Sequence, residues 1–531
     1  MKAPAPPRLM RGFLTVGVWT FVSRIVGFAR DILIAAFLGT GVVAEAFLIA
    51  FALPNMFRRF FAEGAFNMAF VPMFSKRLEG GEDPREFAQD AFSGMLLILT
   101  LFTILGVIFM PLLVYAMASG FAGDERFPLA VIYGRIAFPY ILFISLAALL
   151  SGVLNANGRF LAAAAAPVLL NIVFIASMLV GWAMGRPITD GLGIGIDNLL
   201  GLRVGDTLAF SVPFAGAVQF ALVWWAAARA GFKLTITRPR LTPDMRRLAR
   251  IAAPAALAGG VVQVNLLVGR QVASFFDGAV AWLSYADRLY QLPLGVVGIA
   301  IGVVLLPDLS RRLRAEDTAG GQHAMSRAAE FALVLTVPCA VAFLVIPLPL
   351  STTLFQRGAF DADDAAATAA ALAVYGLGLP AFVLQKVWQP LYFAREDTRS
   401  PFHFALWALV INALVAIGLA PVIGFLAAAL GTTLAGWAMA ILLIRRARPM
   451  GEAARLDDRF RRRMPRILLA SVGMGICLWI TQILLGALLG LGAWQFLALG
   501  ILIGAGIVSY AVIGQLVGAL SLGELKGIVR R

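Results

Sequence analysis

The chain has 531 residues, 60% of them hydrophobic and only 14% charged, with a net charge of +15 and a mean hydropathy of +0.87. A soluble protein is about 45–50% apolar and about 25% charged, so a water-soluble domain is excluded. Apolar runs of about 20 residues recur from end to end, which excludes the short alternating strands of a β-barrel and predicts an all-α polytopic membrane protein.

About fourteen candidate spans follow one another along the chain. They start near Phe13, Ala44, Phe87, Pro128, Phe160, Leu208, Leu248, Val280, Ala328, Ala366, Phe402, Phe425, Ile467 and Trp494. The basic N-terminus MKAPAPPRLMRG leads into the first run with no small-residue cleavage site. Phe13 onward therefore reads as a retained helix and not a signal peptide. With the N-terminus inside, the even-numbered connections carry Lys76, Arg77 and Arg85, then Arg159, then Arg229, Lys233, Arg238, Arg240, Arg246 and Arg247. Further on come Arg311, Arg312 and Arg314, then Arg395 and Arg399, then Arg459, Arg461, Arg462 and Arg463. The opposite loops are acidic, with Asp124, Glu125, Asp361, Asp363 and Asp364. The positive-inside rule places both termini in the cytoplasm and explains the basic charge without nucleic acid. Cys339 and Cys477 lie in apolar spans as free core thiols, and His323 and His403 form no ligand cluster. No metal or other cofactor is expected. No phosphate loop or nucleophile motif occurs in a credible context, so an enzyme is not expected.

The chain repeats itself. Ala46–Leu78 lies on Ala281–Leu313 without a gap, ending FVPMFSKRL against LLPDLSRRL. Tyr133-Gly134 echoes Tyr375-Gly376, Pro139 falls on Pro380 and Asn171 on Asn412. Spans one to six and seven to twelve are thus two parallel repeats, and a binding site is expected between them near mid-membrane. Spans thirteen and fourteen have no counterpart. The expected organisation is an N-terminal six-helix lobe over 1–240, a C-terminal six-helix lobe over 241–450, and a basic linker with two extra helices over 451–531.

Charges stand inside several spans. At 100° per residue the first span aligns Thr20, Ser23, Arg24, Gly27, Arg30 and Asp31 on one face. The second aligns Glu45, Asn55, Arg59, Glu63 and Asn67, with Arg58 to one side and Pro54 able to kink the helix. The eighth carries Asp287, Arg288 and Gln291 above a glycine stripe. A charged side chain at mid-membrane costs about 3 kcal/mol on insertion scales, so such groups face a bundle interior or a wet cavity. One reading is structural: Arg59 with Glu63, and Asp287 with Arg288, neutralise one another. It does not account for the total. Arg24, Arg30, Arg58, Arg59, Arg270 and Arg288 outnumber Asp31, Glu63 and Asp287. The surplus needs water or an anionic ligand, and the planar fork of arginine suits phosphate.

SRIVGFARD at Ser23–Asp31 and LPNMFRRFFAEGAF at Leu53–Phe66 resemble the MurJ/MviN family of lipid II flippases. YADRLYQLPLGVVGIAIGVVLLPDLS at Tyr285–Ser310 and LFQRGAF at Leu354–Phe360 extend the resemblance, which covers essentially the whole chain. It implies the multidrug/oligosaccharidyl-lipid/polysaccharide exporter fold, a bacterial inner-membrane location, and export of the undecaprenyl-pyrophosphate-linked peptidoglycan precursor. It implies that Arg24, Arg30, Arg58 and Arg288 line a central cationic cavity, supported by Asp31, Glu45, Asn55, Arg59, Glu63, Asp287 and Gln291. The last two helices would form a groove for the lipid tail. Some relatives bind sodium in the second lobe; here Asn412 and Thr432 remain but Ala416 is apolar, so membrane potential is the simpler driver. The expected partners are lipid II, membrane lipids and other cell-wall synthesis proteins. The alternatives are a flippase for another polyprenyl-linked oligosaccharide and a cation-coupled multidrug exporter; the latter calls for a carboxylate-rich cavity. A membrane scaffold would leave the arginines unexplained.

Overall fold

The computed structural model describes residues 7–58, 65–183, 204–315, 317–490 and 492–520, and among them it contains helices and turns but no strand. Two compact units divide the chain. The first runs to Leu267 and also takes the segment Arg357–Phe360. It holds α1 (Pro7–Leu38), α2 (Val42–Arg58), α3 (Ala65–Gly80), α4 (Pro84–Ile108), α5 (Met110–Met117), α6 (Arg126–Ala137), α7 (Tyr140–Ala156), α8 (Leu161–Ala183), α9 (Val204–Arg229) and most of α10 (Pro243–Ala273). The second unit holds α11 (Ala279–Arg314), α12 (Thr318–Val345), α13 (Pro347–Phe355), α14 (Ala362–Phe393), α15 (Arg399–Ile423) and α16 (Leu426–Ala447). It ends with α17 (Asp458–Leu484), α18 (Gly486–Leu489) and α19 (Gln495–Leu516).

Each expected span start lies in or within one residue of a helix. Among the described residues, 10 helical segments are long and apolar enough to cross a membrane. α1, α10 and α11 are not in that set; they carry Arg24, Arg30, Asp31, Arg270, Asp287 and Arg288. The chain is a multi-pass helical membrane protein.

The repeat is visible in local chemistry. α4 and α12 are third in their repeats, and each is capped by an aspartate: Asp83 accepts from the Glu86 N–H, Asp317 from the Gly320 N–H at 2.8 Å. Each is followed by a short helix with proline in its first turn, α5 and α13. These two, 8 and 9 residues long, are too short to register as spans and were not anticipated from the sequence. The repeats also differ. A turn at Phe138-Pro139 separates α6 from α7, whereas α14 runs unbroken through the matching Pro380.

Proline leaves the carbonyl four residues earlier without its helical donor, and side chains fill two such gaps. In the first unit the Arg135 Nε donates to Val107 O, the carbonyl freed by Pro111, at 3.3 Å. In the second, the Tyr510 hydroxyl donates to Val334 O, freed by Pro338, at 2.8 Å. The tyrosine bond ties α19 to α12.

Close backbone approach fixes one end of α1. Gly39 and Gly358 both adopt left-handed φ, +60° and +62°. The Ala359 N–H donates to Ala36 O at 2.9 Å. A Cβ on Gly39 would overlap Ala359 O, and one on Gly358 would overlap Ala36 O. Gly39→Ala or Gly358→Ala is expected to lose this backbone bond as well as incurring about 1 kcal/mol of left-handed strain. Thermal unfolding of either variant should start well below that of the parent chain; an unchanged melting curve would refute the contact.

Candidate functional site

The two units each hold a group of charges on long helices. In the first, Arg30 is buried at 6% exposure beside Asp31 at 7%. Its Nε and Nη2 both donate to Asp31 Oδ1, at 3.0 and 2.6 Å. Its Nη1 donates to Asn171 Oδ1 on α8 at 2.9 Å, and the Asn171 amide donates to Ser23 O at 3.1 Å. The Phe174 ring, one turn along α8, covers the guanidinium at 5.6 Å. Phe174 is itself held by Phe47 and Phe51 of α2, with centroids 6.2 and 5.3 Å away. An arginine this deep needs both a counter-charge and hydrogen bonds, and α1 and α8 supply them together.

Arg24 is different. It lies on an exposed stretch of α1 and forms no ion pair among the described residues. Two arginines on one helix thus stand in opposite environments. Arg58 is half-buried at the last turn of α2. Asn55 donates back to Phe51 O at 2.9 Å, one residue past Pro54. Arg59 and Glu63 lie outside the described residues.

Glu45 stands apart from this group. At 1% exposure it accepts from Arg126 Nη1 at 2.9 Å, and Arg126 also donates from Nη2 to Asp124 at 2.6 Å. The pair joins α2 to the start of α6, with the Phe121 ring 4.6 Å from the guanidinium. Here the structure brings together a loop cation and an acid expected to serve the cavity.

In the second unit the group is built on α11. Asp287, Arg288 and Gln291 are half-buried. The Asp287 carboxylate accepts from Gln291 and from the Tyr290 hydroxyl, and lies in the field of Arg288 and Arg270. Tyr290 stacks near Tyr375 and Phe382 of α14, at 5.2 and 5.8 Å. One carboxylate with two guanidiniums leaves this group net positive.

Several polar residues were missed by sequence reasoning. Asn171 is the one polar residue in the apolar stretch Val168–Ser177 except for that serine, and its echo at Asn412 was available as a signal. Asp206, fully buried, accepts from the Tyr133 hydroxyl at 2.8 Å. Glu330 of α12, 5% exposed, accepts from Arg327 at 2.6 Å and Arg463 at 3.2 Å, with Arg459 at 3.6 Å. Arg327 also reaches Asp457, the N-cap of α17, at 2.5 Å. This network ties α17 to α12, where sequence alone showed only a basic loop.

Among the described residues, ten membrane-length apolar helices, with arginine-bearing helices beside them, define a multi-pass membrane protein. The family model described as lipid II flippase MurJ matches residues 34–503. A probable lipid II flippase MurJ of Rhizobium meliloti is 44% identical over 476 residues, 89% of this chain and 86% of that protein. A lipid II flippase MurJ of Burkholderia cenocepacia is 36% identical over 421 residues, 78% of this chain and 79% of that one. A solved lipid II flippase MurJ in an inward closed conformation superposes with a TM-score of 0.77 at 25% identity, covering 95% of this chain and 98% of that one. An inward-facing multidrug resistance MATE transporter shares the fold alone, with a TM-score of 0.64 at 14% identity over 81% of this chain and 95% of that one. The chain belongs to the lipid II flippase MurJ family.

Proposed function

We propose that the protein carries lipid II, the undecaprenyl-pyrophosphate-linked peptidoglycan precursor, from the cytoplasmic to the periplasmic leaflet of a bacterial inner membrane. Both termini lie in the cytoplasm in this reading, and no covalent chemistry is involved. The observation that carries it is the intramembrane surplus of arginine: Arg24, Arg30, Arg58, Arg270 and Arg288 against Asp31 and Asp287, with Glu45 already taken by Arg126. Guanidinium forks bind phosphate oxygens side by side. A drug exporter for organic cations would need the reverse charge.

The headgroup is taken up by the arginines Arg24, Arg30, Arg58 and Arg288, and is exposed to the two sides in turn. The polyprenyl tail stays in hydrocarbon, which it prefers by about 0.8 kcal/mol per buried CH₂. The exposed apolar faces of α17 and α19, with Trp479, Ile483, Leu484, Ile507 and Val508, support a tail-bearing role for residues 451–531. The basic cytoplasmic loops offer a surface for other cell-wall synthesis proteins.

Proteoliposomes containing the purified chain test this. Lipid II should reach the opposite leaflet faster than in protein-free vesicles, and a polyprenyl-pyrophosphate carrying a different sugar should compete poorly. Equal transport of the other sugar lipid would favour the oligosaccharide reading. Transport of an organic cation alone would overturn the proposal.

A further inference from the structure

We infer that Asn171 is a positioning residue for phosphate binding: it holds the Arg30 guanidinium so that one Nη1 and one Nη2 hydrogen present a fork to the pyrophosphate. The inference rests on the function proposed above. Arginine has five N–H donors. Among the described residues three are engaged, Nε and Nη2 with Asp31 and Nη1 with Asn171. One hydrogen remains on each terminal nitrogen, the pair a phosphate takes side by side.

Asp31 already supplies the counter-charge, so Asn171 adds direction. A carboxylate next in sequence fixes one edge of the guanidinium; an acceptor on the neighbouring helix fixes the plane. The amide is itself fixed. Its Nδ2 donates to Ser23 O, and turning it over would set an NH₂ group against a cation. Gly27 provides the room, since a Cβ there would lie 3.2 Å from Asn171 Nδ2. Phe174 closes the face of the guanidinium one turn further along α8. Asn412, the counterpart in the second repeat, packs over a glycine in the same way: a Cβ on Gly431 would lie 2.6 Å from its Oδ1. The second repeat keeps the asparagine-over-glycine packing, and in the first it carries an arginine beside its counter-ion.

A double-mutant cycle on the full-length protein tests this. The probes are a short-chain prenyl pyrophosphate and the matching monophosphate, with affinities read by calorimetry. Asn171→Leu keeps the volume and removes the acceptor. Arg30→Lys keeps a cation for Asp31 and removes the fork. Each should weaken pyrophosphate binding roughly tenfold, the scale of one hydrogen bond to a charged group, with a smaller loss for the monophosphate. The double variant should bind no more weakly than Arg30→Lys alone. Losses that multiply, or equal losses for both probes, would reduce Asn171 to helix packing. If Asn171→Leu does not fold, Gly27→Ala displaces the same amide by a few tenths of an ångström and should shift affinity the same way. A wild-type chain that binds neither probe refutes the proposed function. One that binds, with Arg30→Lys weak but both Asn171→Leu and Gly27→Ala unchanged, refutes this inference alone.

Discussion

Glu330→Leu is expected to release α17 from the second unit. Three arginines converge on one carboxylate oxygen whose side chain is 6% exposed, and two of them, Arg459 and Arg463, belong to α17. Removing the acid leaves Arg327, Arg459 and Arg463 crowded together without it, and leucine offers nothing in return. Breaking a buried pair in this way costs about 3–5 kcal/mol, a large part of the roughly 5–15 kcal/mol that holds a typical domain together. The purified variant should melt far below the parent and be cut by protease in the linker between α16 and α17. Arg461→Ala is the control: its bond to Asp458 spans 3.8 Å between side chains 71% and 82% exposed, and should change nothing measurable. If Glu330→Leu melts with the parent, the network does not anchor the helix.

Arg24→Ala and Arg288→Ala should each abolish flipping without loss of the folded protein. Arg24 is exposed on α1 and forms no ion pair among the described residues, so its removal should alter stability by less than about 0.5 kcal/mol. Arg30→Ala would be a poorer experiment, because it removes a close counter-ion of the buried Asp31. Lysine at 24 or 288 keeps the charge but loses the two-point contact, so partial activity is expected. The measurement is growth after depletion of the native protein, at matched membrane abundance, beside lipid II transport in proteoliposomes. Normal growth of either alanine variant would remove that arginine from the headgroup site.

The sequence made the helices legible because apolar length is a one-dimensional signal. The repeat was equally plain, since Pro72 on Pro307 and Pro139 on Pro380 need no geometry to be seen. Pairing was harder. A helical wheel set Arg24 and Arg30 on one stripe, yet one is exposed and the other is buried with one face against Phe174, because the neighbouring helix decides which part of the stripe is covered. Glu45 looked like a member of the second-span stripe, but its partner Arg126 is 81 residues away at the start of α6. Glu330 was passed over because a lone acid at the inner end of a span resembles a solvated residue until Arg459 and Arg463 are folded onto it.

The bond between Tyr510 and the carbonyl left bare by Pro338 makes the order of inherited changes matter. If Tyr510 becomes phenylalanine first, Val334 O loses the hydroxyl donor of this half-buried bond, at about 1 kcal/mol for a typical hydrogen bond. If Pro338 becomes alanine first, the helix supplies its own N–H and the hydroxyl is no longer needed. Descent through the second route is gentle and through the first is steep. The proline therefore acts as a one-way gate on drift at a position more than a hundred and seventy residues away, and lineages that keep Pro338 in α12 are bound to keep a donor on α19.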